Sequence, residues 1–425
     1  MNKTGIALAA DSAVTVTTPG NKKIYNSANK IFTLSKYHPV AIMIYNSASF
    51  MTTPWETIVK LYRAQLGTRH LSTVHDYLYD FIHFLKRNNC FIDQETQMAL
   101  YGSFLKFVLQ DLKESVVKDP SLLEIEDSAE KNRKLVDLIS TQVQNLLSVP
   151  IDPTTILPEF SDYTFESFHN CFWELTNHAL EGVFGKISFP QEVIEMILKS
   201  IFNYFRSSSF FGNWSGLVFA GYGESEIFPS IVSLQIAESV DGKLRYFIDR
   251  EQKIGMQCSG SIMPYAQRDV IDTIIAGIDP ELDSTISKIF ANLFKQYNGI
   301  LHDLINEKEP EIALKIKNLD IEKIIQEFNK QIQTVKEHKL INPIVNTVSS
   351  LSKEDLAEMA ESLIYLTFLK RRISSADESV GGPVDVAVIS KGDGFIWIKR
   401  KHYFDPKLNQ HFFNNYFKKP NHDVL

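Results

Sequence analysis

Cysteine is scarce in this chain of 425 residues, which contains three, Cys90, Cys171 and Cys258. They lie far apart and form no Cys-x-x-Cys pair, so the sequence indicates neither a disulfide framework nor a zinc site. Long apolar runs are also missing, since no stretch approaches the roughly 18 uninterrupted apolar residues of a membrane-spanning helix. The N-terminus lacks the basic and apolar regions of a secretory signal. These absences predict a cytoplasmic protein in a reducing compartment.

Glycine and proline are few as well, with 19 and 16 residues, which leaves little room for disordered linkers. Positive charge is not in excess, because 51 acidic residues oppose 44 basic ones and the net charge is -7. Nucleic acids and anionic membranes attract proteins through clustered Lys and Arg, so the composition argues against both as partners. Hydrophobic residues make up 44% of the chain, as in a folded protein with a substantial core.

Strand and helix patterns follow one another in blocks. Short apolar runs between turns predict an antiparallel meander in the first fifty residues, and Thr53-Pro54-Trp55-Glu56 predicts a capping box that opens a helix. Strand signals return between residues 215 and 248, where Asp241-Gly242 predicts a hairpin turn. The clearest hairpin joins residues 384–390 to residues 394–399. This order of strands, helices, strands, helices and strands predicts a layered α+β fold with two sheets between helical layers.

Five segments, taken in order, resemble the proteasome β-subunit and its bacterial relatives, the HslV-type peptidases and the Anbu-type homologues. They are GIALAADSAVT (5–15), NKIFTLSKYHPVAIMIYNSAS (29–49), VFAGYGESEIFPSIVSLQIAESVDGKLRY (218–246), CSGSIMPYA (258–266) and SSADESVGGPVDVAVISKGDGF (374–395). Each match alone is weak, and Ser259-Gly260-Ser261 is equally compatible with an ordinary turn. Five matches in the family's order are specific.

The resemblance implies the N-terminal nucleophile hydrolase fold, a four-layer α/β/β/α sandwich of two antiparallel sheets. The core is then discontinuous and consists of residues 1–90, 211–278 and 351–400. Residues 91–210 and 279–350 are expected to be two long helical insertions. Residues 401–425 form a C-terminal tail.

Enzymes of this family use a threonine at the start of the chain as nucleophile and its own α-amine as base. An α-amine titrates near pH 7.7–8.0, so it can accept and return the hydroxyl proton at working pH. The resemblance places Lys30 at the active-site lysine and Asp11 at the aspartate that keeps this lysine charged and oriented. Three further residues are implied in the hydrogen-bond network around the amine: Asp377, Ser259 and Ser379.

The chain departs from the family at two positions. The family's oxyanion donor is the backbone N–H of a glycine, and Asn46 takes that place here, which keeps the backbone donor. The nucleophile should lie about ten residues before Gly5, whereas the chain offers only Met1 to Thr4. Thr4 would be displaced by several residues, on the order of 20 Å along an extended strand, so it is not expected to substitute. As written, the chain therefore lacks its first strand and its nucleophile and should be inactive.

Three interpretations stay open. In the first, translation starts upstream of Met1, and the protein is a threonine-type peptidase. In the second, the chain is a noncatalytic relative that acts as a scaffold or binding subunit. In the third, only the fold is shared and the activity differs, for example amide hydrolysis of a small substrate. The resemblance implies peptide substrates, a homo-oligomer and an ATPase unfoldase as a candidate partner, and it implies neither a cofactor nor a metal.

Overall fold

The computed structural model describes residues 1–18, 21–88, 90–374, 381–402 and 404–417. Its strands, in chain order, are β1 Ile6–Ala10, β2 Val14–Thr18, β3 Asn21–Tyr25, β4 Ile31–Thr33, β5 Val40–Asn46, β6 Ser49–Phe50, β7 Thr53–Pro54, β8 Ser215–Gly221, β9 Ser230–Val240, β10 Lys243–Lys253, β11 Asp385–Ser390 and β12 Gly394–Lys399. Its α-helices are α1 Trp55–Leu66, α2 Val74–Arg87, α3 Gln94–Val117, α4 Pro120–Leu123, α5 Ser128–Ser148, α6 Phe165–Phe184, α7 Gln191–Phe205, α8 Arg268–Ala276, α9 Pro280–Asn306, α10 Pro310–Lys317, α11 Ile321–Lys336, α12 Asn342–Ser350, α13 Lys353–Ile373 and α14 Gln410–Phe417.

The chain divides into two compact units, and both are mixtures of helices and antiparallel strands. The first unit consists of Met1–Ile31, Ile262–Ile389 and Phe395–Leu425. The second consists of Phe32–Ser261 and Ser390–Gly394. The α+β class expected from the order of the patterns is therefore confirmed.

The first unit contains a three-stranded sheet in the order β1-β11-β12. β1 is antiparallel to β11, with Ile6 opposite Ile389 and Ala10 opposite Asp385. The predicted meander is wrong here, because β2 and β3 pair only with each other in a separate two-stranded sheet. Both faces of β1 are apolar: Ile6 and Leu8 are buried, and Ala7 and Ala9 pack in the cluster that contains Ala357 of α13. A strand covered on both faces gains more from a buried partner such as β11 than from an adjacent surface hairpin.

The second unit contains a five-stranded sheet in the order β10-β9-β8-β5-β4. Asp241 and Gly242 connect β9 to β10 with φ values of 50° and 72°, as a two-residue turn with two positive φ angles requires, so the predicted hairpin turn is confirmed. Helices α1 and α2 contribute large side chains to the core on this sheet. Trp55, Tyr62 and Phe81 pack there with Phe219 of β8.

The capping box predicted at residues 53–56 is wrong. Pro54 is the N-cap of α1 and no side chain caps this helix. The backbone N–H of Trp55 donates instead to Ala48 O at 3.0 Å, and the indole Nε1 of Trp55 donates to Ser215 Oγ at 2.7 Å. Tertiary contacts thus fix the start of α1, whereas the start of α13 follows its local signal, a complete capping box between Ser352 and Asp355.

Helices α3, α5, α6 and α7 pack around a core rich in phenylalanine. This core extends to the sheet, since Val240 belongs to it and Phe247 packs against it.

Arg245 of β10 is fully buried among these elements and donates from Nη1 to Glu238 Oε1 at 2.7 Å and from Nε to Phe205 O at 2.8 Å. Its Nη2 lies 3.3 Å from both Tyr204 O and Ser209 O. One buried guanidinium therefore connects the end of α7 to the sheet.

We expect Arg245→Ala to lower the free energy of unfolding of the second unit by about 3 kcal/mol, because it leaves Glu238 without its charged partner. The double variant Arg245→Met/Glu238→Gln should lose less of the free energy of unfolding than Arg245→Ala, since no unpaired charge remains. Lys60→Ala, which removes an exposed ion pair with Glu56, serves as control and should cost under about 0.5 kcal/mol. Urea unfolding curves of the full chain measure all three. Equal losses for Arg245→Ala and Lys60→Ala would contradict the assigned role of Arg245.

Candidate functional site

An ion pair between Asp11 and Lys30 is the centre of the candidate site in the first unit. Asp11 follows β1 directly, and Lys30 directly precedes β4. The distance from Lys30 Nζ to Asp11 Oδ1 is 2.6 Å. The two side chains retain 19% and 14% of their accessible surface, so both are largely shielded and still reachable from solvent. The sequence placed these two residues together from the resemblance alone, and the structure brings them into contact.

Backbone donors hold the second oxygen of Asp11. Its Oδ2 accepts from Ala13 N at 3.1 Å and from Gly381 N at 3.3 Å. Because these donors occupy one oxygen and Lys30 occupies the other, the carboxylate is fixed in one orientation. A carboxylate held by this set of donors keeps the Lys30 ammonium in one position through a charge-assisted hydrogen bond.

Ser12 joins the same three chain segments through hydrogen bonds of its own. Its backbone N–H donates to Gly381 O at 3.2 Å, and its hydroxyl donates to Pro383 O at 2.6 Å. Its carbonyl accepts from Ala28 N at 3.1 Å. A Cβ at Gly382, whose φ is 79°, would lie 2.8 Å from Asn26 Cβ, so the closeness of these segments requires glycine there.

The chemical capacity of this arrangement is electrostatic. A fixed, shielded ammonium favours a neighbouring hydroxyl in its alkoxide form and stabilises negative charge that develops on a substrate oxygen. The aspartate supplies the orientation and does not need to transfer a proton. This is the role that the resemblance implies for Lys30 and Asp11.

The remaining candidate residues are Asn46, Ser259, Asp377 and Ser379. Asn46, at the end of β5 in the second unit, has a φ of 68° and donates from Nδ2 to Trp214 O at 2.9 Å. Ser259 also belongs to the second unit, in the loop after β10. Asp377 and Ser379 lie outside the described residues. Their roles, and the oxyanion role of Asn46, stay predictions.

The first five residues fold against the helices of the first unit. Asn2 is fully buried and donates from Nδ2 to Val348 O and Leu351 O, both at 2.9 Å. Thr4 lies in a turn before β1, and its hydroxyl donates to Asn2 Oδ1 at 2.7 Å. The hydroxyl of Thr4 therefore already serves a structural hydrogen bond.

The second unit contains an apolar cavity of about 460 Å³ that no sequence motif indicated. Its walls come from α3, α6, the end of α7 and the segment after it, the β5–α1 connection, the start of β8, and β9. Its aromatic lining consists of Phe50, Tyr101, Phe104, Phe107, Phe172, Phe205, Phe211 and Trp214. Glu238 lines it too, and its Oε1 accepts from Arg245. The only signal available was the density of phenylalanine between residues 160 and 211, which predicts a core as readily as a cavity.

Comparisons of this chain with family models, curated proteins and solved structures give no match. Support for a function therefore comes from the site's own residues. No helix in the described part of the chain is both long enough and apolar enough to cross a membrane.

We expect Asp11→Ala to destabilise the first unit by about 1–3 kcal/mol, because Ala13 N and Gly381 N lose their acceptor. Lys30→Met should cost less than Asp11→Ala, since those two hydrogen bonds survive and still stabilise the carboxylate that has lost its charged partner. The loss of stability in Asp11→Asn should lie between those of the other two variants, because its amide oxygen can still accept the hydrogen bonds from Ala13 N and Gly381 N. Thermal unfolding of the three variants tests this order, and a loss in Lys30→Met as large as in Asp11→Ala would refute it.

Proposed function

We propose that the chain is a hydrolase of amide or peptide bonds with the four-layer sandwich of the N-terminal nucleophile hydrolases. The observation that carries the proposal is the 2.6 Å pair of Lys30 and Asp11, with the carboxylate anchored by Ala13 N and Gly381 N. A surface lysine needs no such fixed, shielded partner. The Gly381-Gly382 pair, part of the segment that carries the resemblance, supplies one of the anchors.

The proposal assigns Lys30 to stabilising the alkoxide of the nucleophile, and Asp11 to positioning Lys30. The nucleophile itself is proposed to lie on a strand beside β1, which forms one edge of its sheet among the described residues. An exposed edge has backbone donors and acceptors that a further strand can satisfy. Such a strand is encoded upstream of Met1 or belongs to another chain, and its threonine, serine or cysteine would attack the substrate carbonyl.

The test compares the 425-residue chain with a form extended by the in-frame codons upstream of Met1, using a set of fluorogenic peptide amides. We expect hydrolysis in the extended form, and Lys30→Ala should lower kcat/KM at least 100-fold because charge stabilisation at the reacting centre is lost. Asp11→Asn should lower kcat with little effect on KM.

Lys60→Ala, which changes an exposed lysine of α1, is the matched control and should leave hydrolysis unchanged. Activity that persists in Lys30→Ala would refute the mechanism. Absence of hydrolysis from both forms would favour the second candidate.

The second candidate is a noncatalytic binding subunit, and the cavity of the second unit favours it. Its volume of about 460 Å³ suits a drug-sized molecule, and aromatic walls with few polar groups are typical of small-molecule sites. Arg245 already balances the charge of Glu238 through one oxygen. A neutral, flat molecule with one N–H or O–H donor therefore fits the lining better than an ion.

N-phenyl-1-naphthylamine, which is uncharged and carries one N–H donor, is a suitable fluorescent probe. We expect saturable binding that Ser103→Trp weakens at least tenfold, because Ser103 is exposed on α3 and lines the cavity. Ser115→Trp is the matched control: it lies on the same helix, is exposed, and like Ser103 bonds back to a carbonyl of its own helix, yet lies outside the lining. Equal binding by both variants would exclude the cavity as the site.

A further inference from the structure

Two neighbouring cavities of the second unit share a wall near the start of α3. The first is the aromatic cavity of about 460 Å³ described above. The second has a volume of about 530 Å³, and its lining includes Asp93, Met98 and Asp241. Gln97 of α3 and Phe172 of α6 line both cavities, so these two side chains lie between them. How far a ligand can extend from the aromatic cavity therefore depends on these two residues.

The aromatic cavity has a buried end and an exposed end, and α3 runs from one to the other. Gln97 is 8% exposed, whereas Phe107 further along the same helix is 55% exposed. Phe211, which is 60% exposed, lies against Phe107 with ring centroids 5.9 Å apart. The distance from Gln97 to Phe107 along the helix axis is about 15 Å. A ligand therefore enters beside the two phenylalanines, and Gln97 lies at the far end of its path.

Hydrogen bonds to the backbone hold the side chain of Gln97 in place. Its Oε1 accepts from Gly242 N at 2.9 Å, in the turn between β9 and β10. Its Nε2 donates to Ile92 O at 3.1 Å, just before α3. Both polar ends of the buried amide are thus engaged, and moving it would leave buried polar groups without partners. Gln97 is therefore a fixed part of the wall.

Phe172 is held by aromatic packing instead. Its ring stacks on Tyr101 with centroids 4.1 Å apart and contacts Phe168 at 4.7 Å. It is 1% exposed and belongs to the phenylalanine-rich core of the helices. Truncation of Phe172 would disturb that core, because closely packed interiors respond to any loss of volume. Gln97 is the part of the wall that can be shortened with the core left intact.

We propose that Gln97 determines the length of the ligand that the aromatic cavity accepts. This inference rests on the second candidate function, in which the cavity binds a neutral aromatic molecule with one donor. Each methylene that enters an apolar cavity raises affinity about fourfold, and the gain ends once the ligand fills the space between the mouth and Gln97. The preferred ligand is then an aromatic molecule with a short chain, since a longer chain has to stay in solvent.

A series of 4-n-alkylphenols, with chains of about two to twelve carbons, measures this limit. They are neutral at pH 7 and carry one O–H donor, and their affinities follow from displacement of N-phenyl-1-naphthylamine. In the parent chain we expect affinity to rise with chain length and then to stop rising within the series. Gln97→Ala should extend the rise by at least two methylenes, so that the longest phenol binds at least tenfold tighter than to the parent, because the second cavity becomes reachable.

Gln97→Leu is the matched control. It removes both hydrogen bonds of the amide and keeps a side chain of similar size, so the rise should stop at the same chain length as in the parent. Leu100→Phe tests the opposite direction, because Leu100 lines the aromatic cavity one helical turn nearer its mouth. The added bulk should stop the rise at a shorter chain, and this variant tests the proposal even where Gln97→Ala fails to fold.

Three results would overturn the proposal. The first is the same stopping length in the parent, Gln97→Ala and Leu100→Phe while the fluorescent probe still binds, which would leave the cavity as a binding site. The second is an extension by Gln97→Leu as large as that by Gln97→Ala, which would assign the effect to lost hydrogen bonds. The third is a parent chain that does not bind the probe, which would overturn the second candidate function as well.

Discussion

The Asp11 carboxylate is the interaction on which the candidate site depends. One oxygen binds the Lys30 ammonium and the other accepts from Ala13 N and Gly381 N, so a single side chain connects the end of β1, the start of β4 and the glycine pair before β11. These segments are far apart in sequence, and their backbones are also linked through Ser12. The same carboxylate is thus both a structural tie and the electrostatic support of the lysine. Because Asp11 serves both purposes, only a side chain of similar length that also accepts hydrogen bonds can replace it.

The parts of the fold that sequence analysis predicted well have strong local signals. The hairpin of β11 and β12 and the Asp241-Gly242 turn depend on residues within a few positions of one another, and the structure places them where expected. The predictions that were wrong concern contacts between residues that are distant in sequence. The partner of β1 is decided by the apolar character of both its faces, and the start of α1 is decided by Ala48 O and Ser215 Oγ.

The candidate site was predictable in part for the same reason. Asp11 and Lys30 were placed by segments whose order along the chain is informative, and their contact is now seen at 2.6 Å. The aromatic cavity was not predictable, because its walls come from segments between Ser49 and Val240 and its existence depends on how α3, the segment after α7 and β9 leave space between them. Phenylalanine content alone does not distinguish a filled core from one with an opening.

The buried guanidinium of Arg245 has a consequence for how the sequence can vary. Its partners are one carboxylate on β9 and carbonyl oxygens at the end of α7, and carbonyls come with every residue type. The hydrogen bonds to these carbonyls therefore survive substitutions that keep the path of the backbone, whereas Glu238 and Arg245 are expected to change together. Tyr204 and Phe205 are constrained in addition by their rings, which lie against the guanidinium. In related chains that retain the helices of residues 91–210, this pair should persist even where the surrounding phenylalanines have been exchanged. In chains that have lost those helices, an arginine at this position has no acceptors and should be replaced by an apolar residue.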